Sequence, residues 1–336
     1  MPRPKKQEVK ENTERPNKQP SFQSVKGMHD ILPKDGETWR TIIESGFHIS
    51  ELHDFHLIET PILEQAAMFE AAVGATTDVV EKQMYVFKTK GGERVTLRPE
   101  GTAPVMRSYL EHHLGYFSSP LKAFYYGPMF RYERPQAGRY RQFHQWGFEI
   151  IGDPDPFYDV QIILACLAFL KDLGVKDFKI LINTVGCRIC RPNYQKKLVN
   201  FFRTKKKNLC DDCLRRFDKN PLRILDCKEE ACRAIIKEAP IILDCLCQNC
   251  NSHFKGVLEL IEDNEIDYEP DPYLVRGLDY YSRTVFEIFS AKDLNQALAG
   301  GGRYDYLGEI LGNRLIPGVG AALGIERLIE YLINQK

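Results

Sequence analysis

The sequence lacks any apolar run close to the ~18 residues that a membrane-crossing helix needs, so no integral helical membrane protein is expected. It has no apolar core near its N-terminus either, so nothing marks it for secretion. It also lacks net charge, with 46 Lys and Arg against 46 Asp and Glu, which excludes steering of a polyanion by the molecule as a whole. That balance hides an uneven spread. Cys187 to Cys250 carries 15 basic against 8 acidic residues, a net +7, and Met1 to Ser24 carries 6 against 3, a net +3, so the remainder is net −10. One basic module on an acidic body points to a polyanionic partner at that module. Cysteine, by contrast, is plentiful. Ten of them without a leader segment indicate a reducing, cytoplasmic setting, where metal ligation is expected before disulfides.

With 336 residues, 43% of them hydrophobic, the chain can bury a sizeable core as two domains or as one domain with an insertion. Composition divides it into a polar tail expected to be disordered (1–23), a first core segment (24–186), a Cys-rich basic insertion (187–254) and a second core segment (255–336). Patterning predicts helices over Lys34–Leu52, Glu64–Val73 and Phe157–Leu173, the last holding Cys166 as an inert core thiol. It predicts strands over His56–Glu59, Phe178–Asn183, Ile266–Tyr268 and Thr284–Phe289, a hairpin turning at Gly91-Gly92, and a helix over Gly256–Asn264.

The most informative stretch is YYGPMFRYERPQAGRYRQFHQWGFEIIG, Tyr125 to Gly152. It reads as two strands joined by a Pro-Gln-Ala-Gly loop. Period two gives Arg141, Gln145 and Glu149 one face, and Gln142, His144, Trp146, Phe148 and Ile150 the other, more apolar one. Met129, Arg131 and Glu133 share a face of the first strand. A sheet face gathering Arg131, Arg141, Gln145 and Glu149 is a floor for a polar, phosphate-bearing ligand, because guanidinium offers phosphate a planar charged fork. Glu100 and Thr102 sit at a strand-to-helix junction, where Thr102 could cap the helix and Glu100 could pair with Arg98 or Arg107. Gly300-Gly301-Gly302 would let backbone approach a ligand closely. The last helix buries Ile325, Leu328, Ile329, Leu332 and Ile333 and leaves Arg327 in its first turn, against the helix dipole, as a cation aimed at phosphate.

Five segments in this order, TLRPEGTAPVMR, GPMFRYERPQAGRYRQFHQWGFE, LVRGLDYYSRTVFE, AGGGRYDYL and GVGAALGIERL, resemble histidyl-tRNA synthetase, a class II aminoacyl-tRNA synthetase, over about Val25 to Leu332. The resemblance implies an α+β fold: a six-stranded antiparallel sheet flanked by helices, working as a homodimer. It implies ATP and Mg²⁺, with histidine converted to histidyl-adenylate and then passed to the 3′ end of its tRNA. By the same resemblance Glu100 and Thr102 hold the α-amino group, Gln145 contacts the substrate, and Glu149, Tyr281 and Tyr304 contact the imidazole. Arg131 and Arg276 act on the α-phosphate and carboxylate, and Arg139, Arg327 and Glu133 complete the ATP contacts. Arg134 and Gln136 face the tRNA acceptor end. The family's C-terminal α/β anticodon-binding domain has no counterpart in this sequence. A synthetase-like regulatory subunit of ATP phosphoribosyltransferase, which lacks that domain and the catalysis, is the alternative reading.

Cys187-x₂-Cys190 and Cys210-x₂-Cys213 have the spacing of a four-thiolate zinc site. Cys227, Cys232, Cys247 and Cys250 are expected to form a second, with Cys245 a spare ligand. Lys205–Lys207 and Arg215-Arg216 are expected to meet tRNA phosphates.

Overall fold

The computed structural model describes residues 22–333 apart from Ala137 and Lys292, so the expected disordered tail lies outside the described residues except for Phe22 and Gln23. The first part runs α1 (Pro33–Leu52), β1 (His56–Leu57), β2 (Leu63–Gln65), α2 (Ala66–Val73), β3 (Val86–Lys88), β4 (Arg94–Leu97), α3 (Thr102–Glu111), β5 (Leu121–Phe130), β6 (Gln142–Ile151), α4 (Pro156–Asp172) and β7 (Phe178–Thr184). The Cys-rich stretch supplies α5 (Cys190–Lys205), α6 (Asp211–Lys219), α7 (Glu230–Ile236) and the start of α8 (Gln248–Asp263). Then follow β8 (Glu269–Pro270), β9 (Ser282–Ser290), β10 (Asp293–Arg303), α9 (Leu307–Gly312), β11 (Gly318–Gly324) and α10 (Ile325–Ile333).

The main sheet has the order β1-β5-β6-β11-β10-β9-β7-β8. Its six inner strands pair antiparallel, as expected, and two-residue parallel strands extend each edge. Two elements differ from expectation. Glu64 and Gln65, expected to open a helix, instead belong to β2 and pair with β4, and the helix starts at Ala66. Ile266–Tyr268 is not a strand. The Ile266 amide still bonds the Ile261 carbonyl at the end of α8, Ile266 and Tyr268 pack on the core, and pairing falls to the next two residues.

The alternation of β6 sorts the two faces of the sheet. Trp146, Phe148 and Ile150 are fully buried in the larger core, under α1, α4, α8 and α10, and Trp146 stacks on Phe124 with ring centroids 5.1 Å apart. On the opposite face Tyr125 and Met129 join Tyr281 and Tyr304 in a second cluster under α2, α3 and α9. The buried carboxyls Glu100 and Glu149 lie on that second face, with the sheet between them and the apolar layer around Trp146.

α4 begins where its sequence dictates: Pro156 is its first residue, and the Asp155 carboxylate accepts the Phe157 N–H at 2.8 Å. One turn on, Asp159 meets Arg303 at the end of β10, both side chains fully buried, with Arg303 Nε 2.9 Å from Asp159 Oδ2. The guanidinium also donates to the Asp153 and Asp155 carbonyls, at 3.1 and 2.9 Å, so it holds the end of β10 beside the start of α4. Arg303→Met should therefore cost about 3–5 kcal/mol, the penalty of leaving Asp159 buried and unpaired. Urea unfolding measures it, and a loss below ~1 kcal/mol would contradict the assignment.

Candidate active site

The centre of the site is Glu149, near the end of β6 and fully buried. Its neighbour on β11 must be glycine, since a Cβ on Gly320 would lie 1.7 Å from Glu149 Oε2. Thr102 Oγ1 donates to Glu149 Oε1 at 2.6 Å, and the Tyr304 hydroxyl donates to Oε2 at 2.5 Å. Burial raises the Glu149 pKa to about 8, against the pull of these two donors, and the Glu100 charge adds to the rise.

Glu100 is buried too. Its carboxylate accepts the N–H groups of Thr102 and Ala103 at 2.9 and 3.0 Å, and the Tyr280 hydroxyl donates to it at 3.1 Å. The cap of α3 is thus Glu100, not Thr102, and this frees the Thr102 hydroxyl for Glu149. Neither arginine expected to pair with Glu100 does so. Arg98 donates to the Thr60 and Pro128 carbonyls, and Arg107 bonds Glu64 and Glu111. Tyr280 lies with its ring centroid 4.7 Å from that of Tyr281 and 5.9 Å from that of Tyr304. Burial raises the pKa of all three phenols, which keeps them hydrogen-bond donors.

A cationic cluster adjoins this one. Arg131 Nε donates to the Pro99 carbonyl at 2.8 Å with its guanidinium over the Phe143 ring, and Arg139 lies 3.9 Å from Glu133. Arg327 reaches from α10 to the Ala297 carbonyl at 2.7 Å and to Gly138 of the hairpin loop at 3.4 Å. Arg276 pairs with Glu287 of β9. Burial works against the Arg276 charge, but the Glu287 carboxylate more than reverses that. The Arg327 pKa is lowered, first by burial and then by the charges of Arg139, Arg131 and Arg276. Four guanidiniums, three of them close enough to act on Arg327, against the carboxylates of Glu133 and Glu287, leave positive charge for a polyanion.

The glycine run needs a correction. A Cβ on Gly300 would lie 2.5 Å from Arg276 Nη1, so its open space admits a side chain of the chain itself. Arg141 also departs from expectation. It precedes β6, stacks on Tyr132 at 3.8 Å and donates to the Glu133 carbonyl, outside the floor it was expected to share. Gln145 keeps the Glu149 face, and its Oε1 is buried with no partner among the described residues. Arg134 and Gln136 are exposed on the hairpin loop. Tyr125, Tyr280 and Glu287 escaped the sequence reading, although all three stand inside segments it singled out.

The cysteines divide differently from their order in the chain. Cys187, Cys190, Cys247 and Cys250 form one group and Cys210, Cys213, Cys227 and Cys232 the other, with the ligand atoms of each within 4.8 Å of one another. The expected sharing of a site by Cys187-x₂-Cys190 and Cys210-x₂-Cys213 fails because the 16-residue α5, ~24 Å long, keeps them apart. Arg216, expected to meet phosphate, instead pairs with Asp78 at 2.8 Å.

The family model for histidyl-tRNA synthetase matches residues 27–328. The chain belongs to the histidyl-tRNA synthetase family. Among its relatives, the histidine–tRNA ligase of Halothermothrix orenii is 50% identical over 308 residues, 91% of this chain and 74% of that protein. That of Aquifex aeolicus is 45% identical over 316 residues, 94% of this chain and 78% of that one. The crystal structure of apo Staphylococcus aureus histidyl-tRNA synthetase superposes with a TM-score of 0.76 at 36% identity, covering 94% of this chain and 74% of that one. A Bacillus halodurans structure described as an ATP phosphoribosyltransferase regulatory subunit/histidyl-tRNA synthetase gives 0.69 at 25%, covering 93% and 83%. Like other members of the synthetase family fold, the chain has a central sheet flanked by helices, and no described helix is long and apolar enough to cross a membrane.

Glu149 has a consequence for stability. Its ordinary pKa is 4.5 and its folded value about 8. Between these, the folded chain keeps a proton that the unfolded chain has lost, so this group makes stability fall as pH rises, by up to ~1.4 kcal/mol per pH unit. Glu149→Gln abolishes that contribution. The urea midpoint of the parent should fall relative to that of Glu149→Gln as pH goes from 5 to 8, and parallel curves would contradict a protonated Glu149.

Proposed function

We propose that the chain activates histidine with ATP and transfers the histidyl group to the 3′-terminal adenosine of tRNA-His. One observation carries this reading: a buried carboxyl braced by a threonine and a tyrosine adjoins a cluster of four arginines. The first grips a small polar ring and the second grips a triphosphate. Membership in the synthetase family joins the two in one reaction.

In this reading Glu149, Tyr281 and Tyr304 hold the imidazole nitrogens, and Glu100 and Thr102 hold the α-ammonium. The unpartnered Oε1 of Gln145 accepts a further N–H of the substrate. A site built to hydrogen-bond a polar group rejects lookalikes lacking it by ~10⁴-fold or more. The histidine carboxylate attacks the α-phosphorus of ATP. A P–O bond forms, the bond to the bridging oxygen breaks, and pyrophosphate leaves with the electron pair. No proton is transferred, so the task is charge stabilisation, for which Arg131 and Arg276 are fixed beforehand by Pro99 and Glu287. Arg139 and Arg327 hold the outer phosphates. Magnesium suits the partly exposed carboxylate of Glu133, since that ion takes one or two carboxylates beside phosphate oxygens and supplies charge neutralisation there.

Residues 24–186 and 255–336 form the catalytic core in this scheme, and 187–254 form an insertion that leans on the acceptor stem. Arg134 and Gln136 meet the tRNA end. The protein works as a cytoplasmic homodimer, and zinc is the structural ion of the insertion. The complete arginine set favours catalysis over the regulatory-subunit reading.

Histidine-dependent exchange of labelled pyrophosphate into ATP tests the proposal. Exchange is expected with histidine and with no other amino acid, and its absence would overturn the reading. Arg276→Ala should lower the rate by ~10²-fold or more, the cost of one preorganised charge stabiliser, and a near-normal rate would remove Arg276 from the mechanism.

A further inference from the structure

The thiol geometry distinguishes a metal site from a disulfide and from ordinary packing. Cys187 Sγ lies 3.6 Å from Cys190 Sγ and 3.8 Å from Cys247 Sγ, and Cys210 Sγ lies 3.8 Å from Cys227 Sγ. A disulfide needs about 2.05 Å. Four sulfurs each ~2.3 Å from one ion at the corners of a tetrahedron are about 3.8 Å apart. Backbone amides turn toward the same sulfurs: Ile189 N–H to Cys187 at 3.4 Å, Cys247 N–H to Cys190 at 3.1 Å and Cys210 N–H to Cys232 at 3.3 Å. Such donors stabilise and orient thiolates, as outer partners of metal ligands do. Thiolate softness selects zinc over magnesium or calcium, and four protein ligands leave no open position for catalysis.

We propose that the insertion holds two separate zinc ions with interleaved ligands, and that the one at its neck positions the amino-acid pocket. The lobe ion, on Cys210, Cys213, Cys227 and Cys232, cross-links the segments around α6 and α7. That lobe docks on the core through Arg216 and Arg223 to Asp78, Lys219 to Glu81, and Asn220 to Asp279.

The neck ion joins the residues just after β7 to the start of α8, 60 positions away. The residues it fixes run directly into the pocket wall. The side chain of Arg191, next to Cys190, bonds the carbonyls of Val185 and Tyr281. Val185 and Gly186 exchange backbone hydrogen bonds with Arg283, at 2.7 and 2.9 Å. Tyr306, two residues beyond Tyr304, packs against the neck cysteines and lies under the Arg188 guanidinium at 4.1 Å. Both tyrosines assigned to the imidazole are therefore one short step from the neck ligands. This positioning role rests on the histidine-activating reading, whereas the metal sites do not.

Metal analysis of the full chain after dialysis against a chelator tests the sites, with two zinc equivalents expected and fewer than two overturning the proposal. Paired substitutions test the partition. Cys187→Ser with Cys250→Ser should retain one zinc, as should Cys213→Ser with Cys232→Ser, while Cys187→Ser with Cys213→Ser should retain none. Sharing in chain order predicts the reverse for all three pairs, and that result would overturn the interleaving. Should the variants fail to fold, cobalt substitution of the parent chain decides. Tetrahedral d–d bands with sulfur charge transfer from two equivalents are expected, and their absence overturns the sites. For positioning, the neck pair should lower kcat/KM for histidine in pyrophosphate exchange by roughly 10²-fold, the order of cost of a ~1 Å misplacement, with the KM for ATP little changed. Equal loss toward both substrates would reduce the neck to a general structural role. Two zincs in a chain that shows no exchange would remove the positioning role and the catalytic reading, yet leave the metal sites standing.

Discussion

Glu149 is a carboxyl without water, and most of the surrounding architecture answers to that fact. An ionised carboxylate in such a place is costly, so the group keeps a proton to about pH 8 or takes a partner. β6 delivers it from the middle of the sheet, and β11 makes room with Gly320. The first residue of α3 and the residue after β10 supply the two hydroxyl donors. Segments far apart in the sequence are thus tied together at one polar point. Opposite it, the apolar cluster around Trp146 and Phe148 holds the sheet that presents it.

Two electrostatic regimes stand side by side. Around Glu100 and Glu149, burial raises carboxyl and phenol pKa values, so the groups there recognise by hydrogen bonding. Around Arg327, burial and the charges of Arg139, Arg131 and Arg276 lower its pKa, an arrangement that a bound polyanion would relieve. Arg276 stands at the boundary, paired with Glu287 and 6.0 Å from the Tyr281 ring centroid. A ligand spanning both regimes needs a polar, partly cationic end and a phosphate end, which describes an amino acid beside a nucleotide.

Much of this was legible from period two and from motif order. The β6 alternation sorted Trp146, Phe148 and Ile150 from Gln145 and Glu149 correctly, because a strand buried on both faces leaves each side chain one destination. Arg141 misled because it precedes the strand and so never entered the alternation. Glu100 and Thr102 were identified as residues of interest, but their division of labour needed coordinates, since either side chain could have capped α3. Glu287 was invisible because an acid in a strand carries no signal until its partner, eleven residues away, is known to face it. The cysteines show the limit of spacing: it identified four-thiolate chemistry, but the length of α5 decided which sulfurs could meet.

The central claim is that the neutral, hydrogen-bonding end of the site is shaped for an imidazole. Calorimetric titration with histidine, phenylalanine and ring-methylated histidine in the presence of a non-hydrolysable ATP analogue tests it most directly. Histidine should bind saturably, with the other two weaker by ~10⁴-fold or undetectable, because each leaves buried polar partners unpaired. Affinities within tenfold of one another would contradict the account.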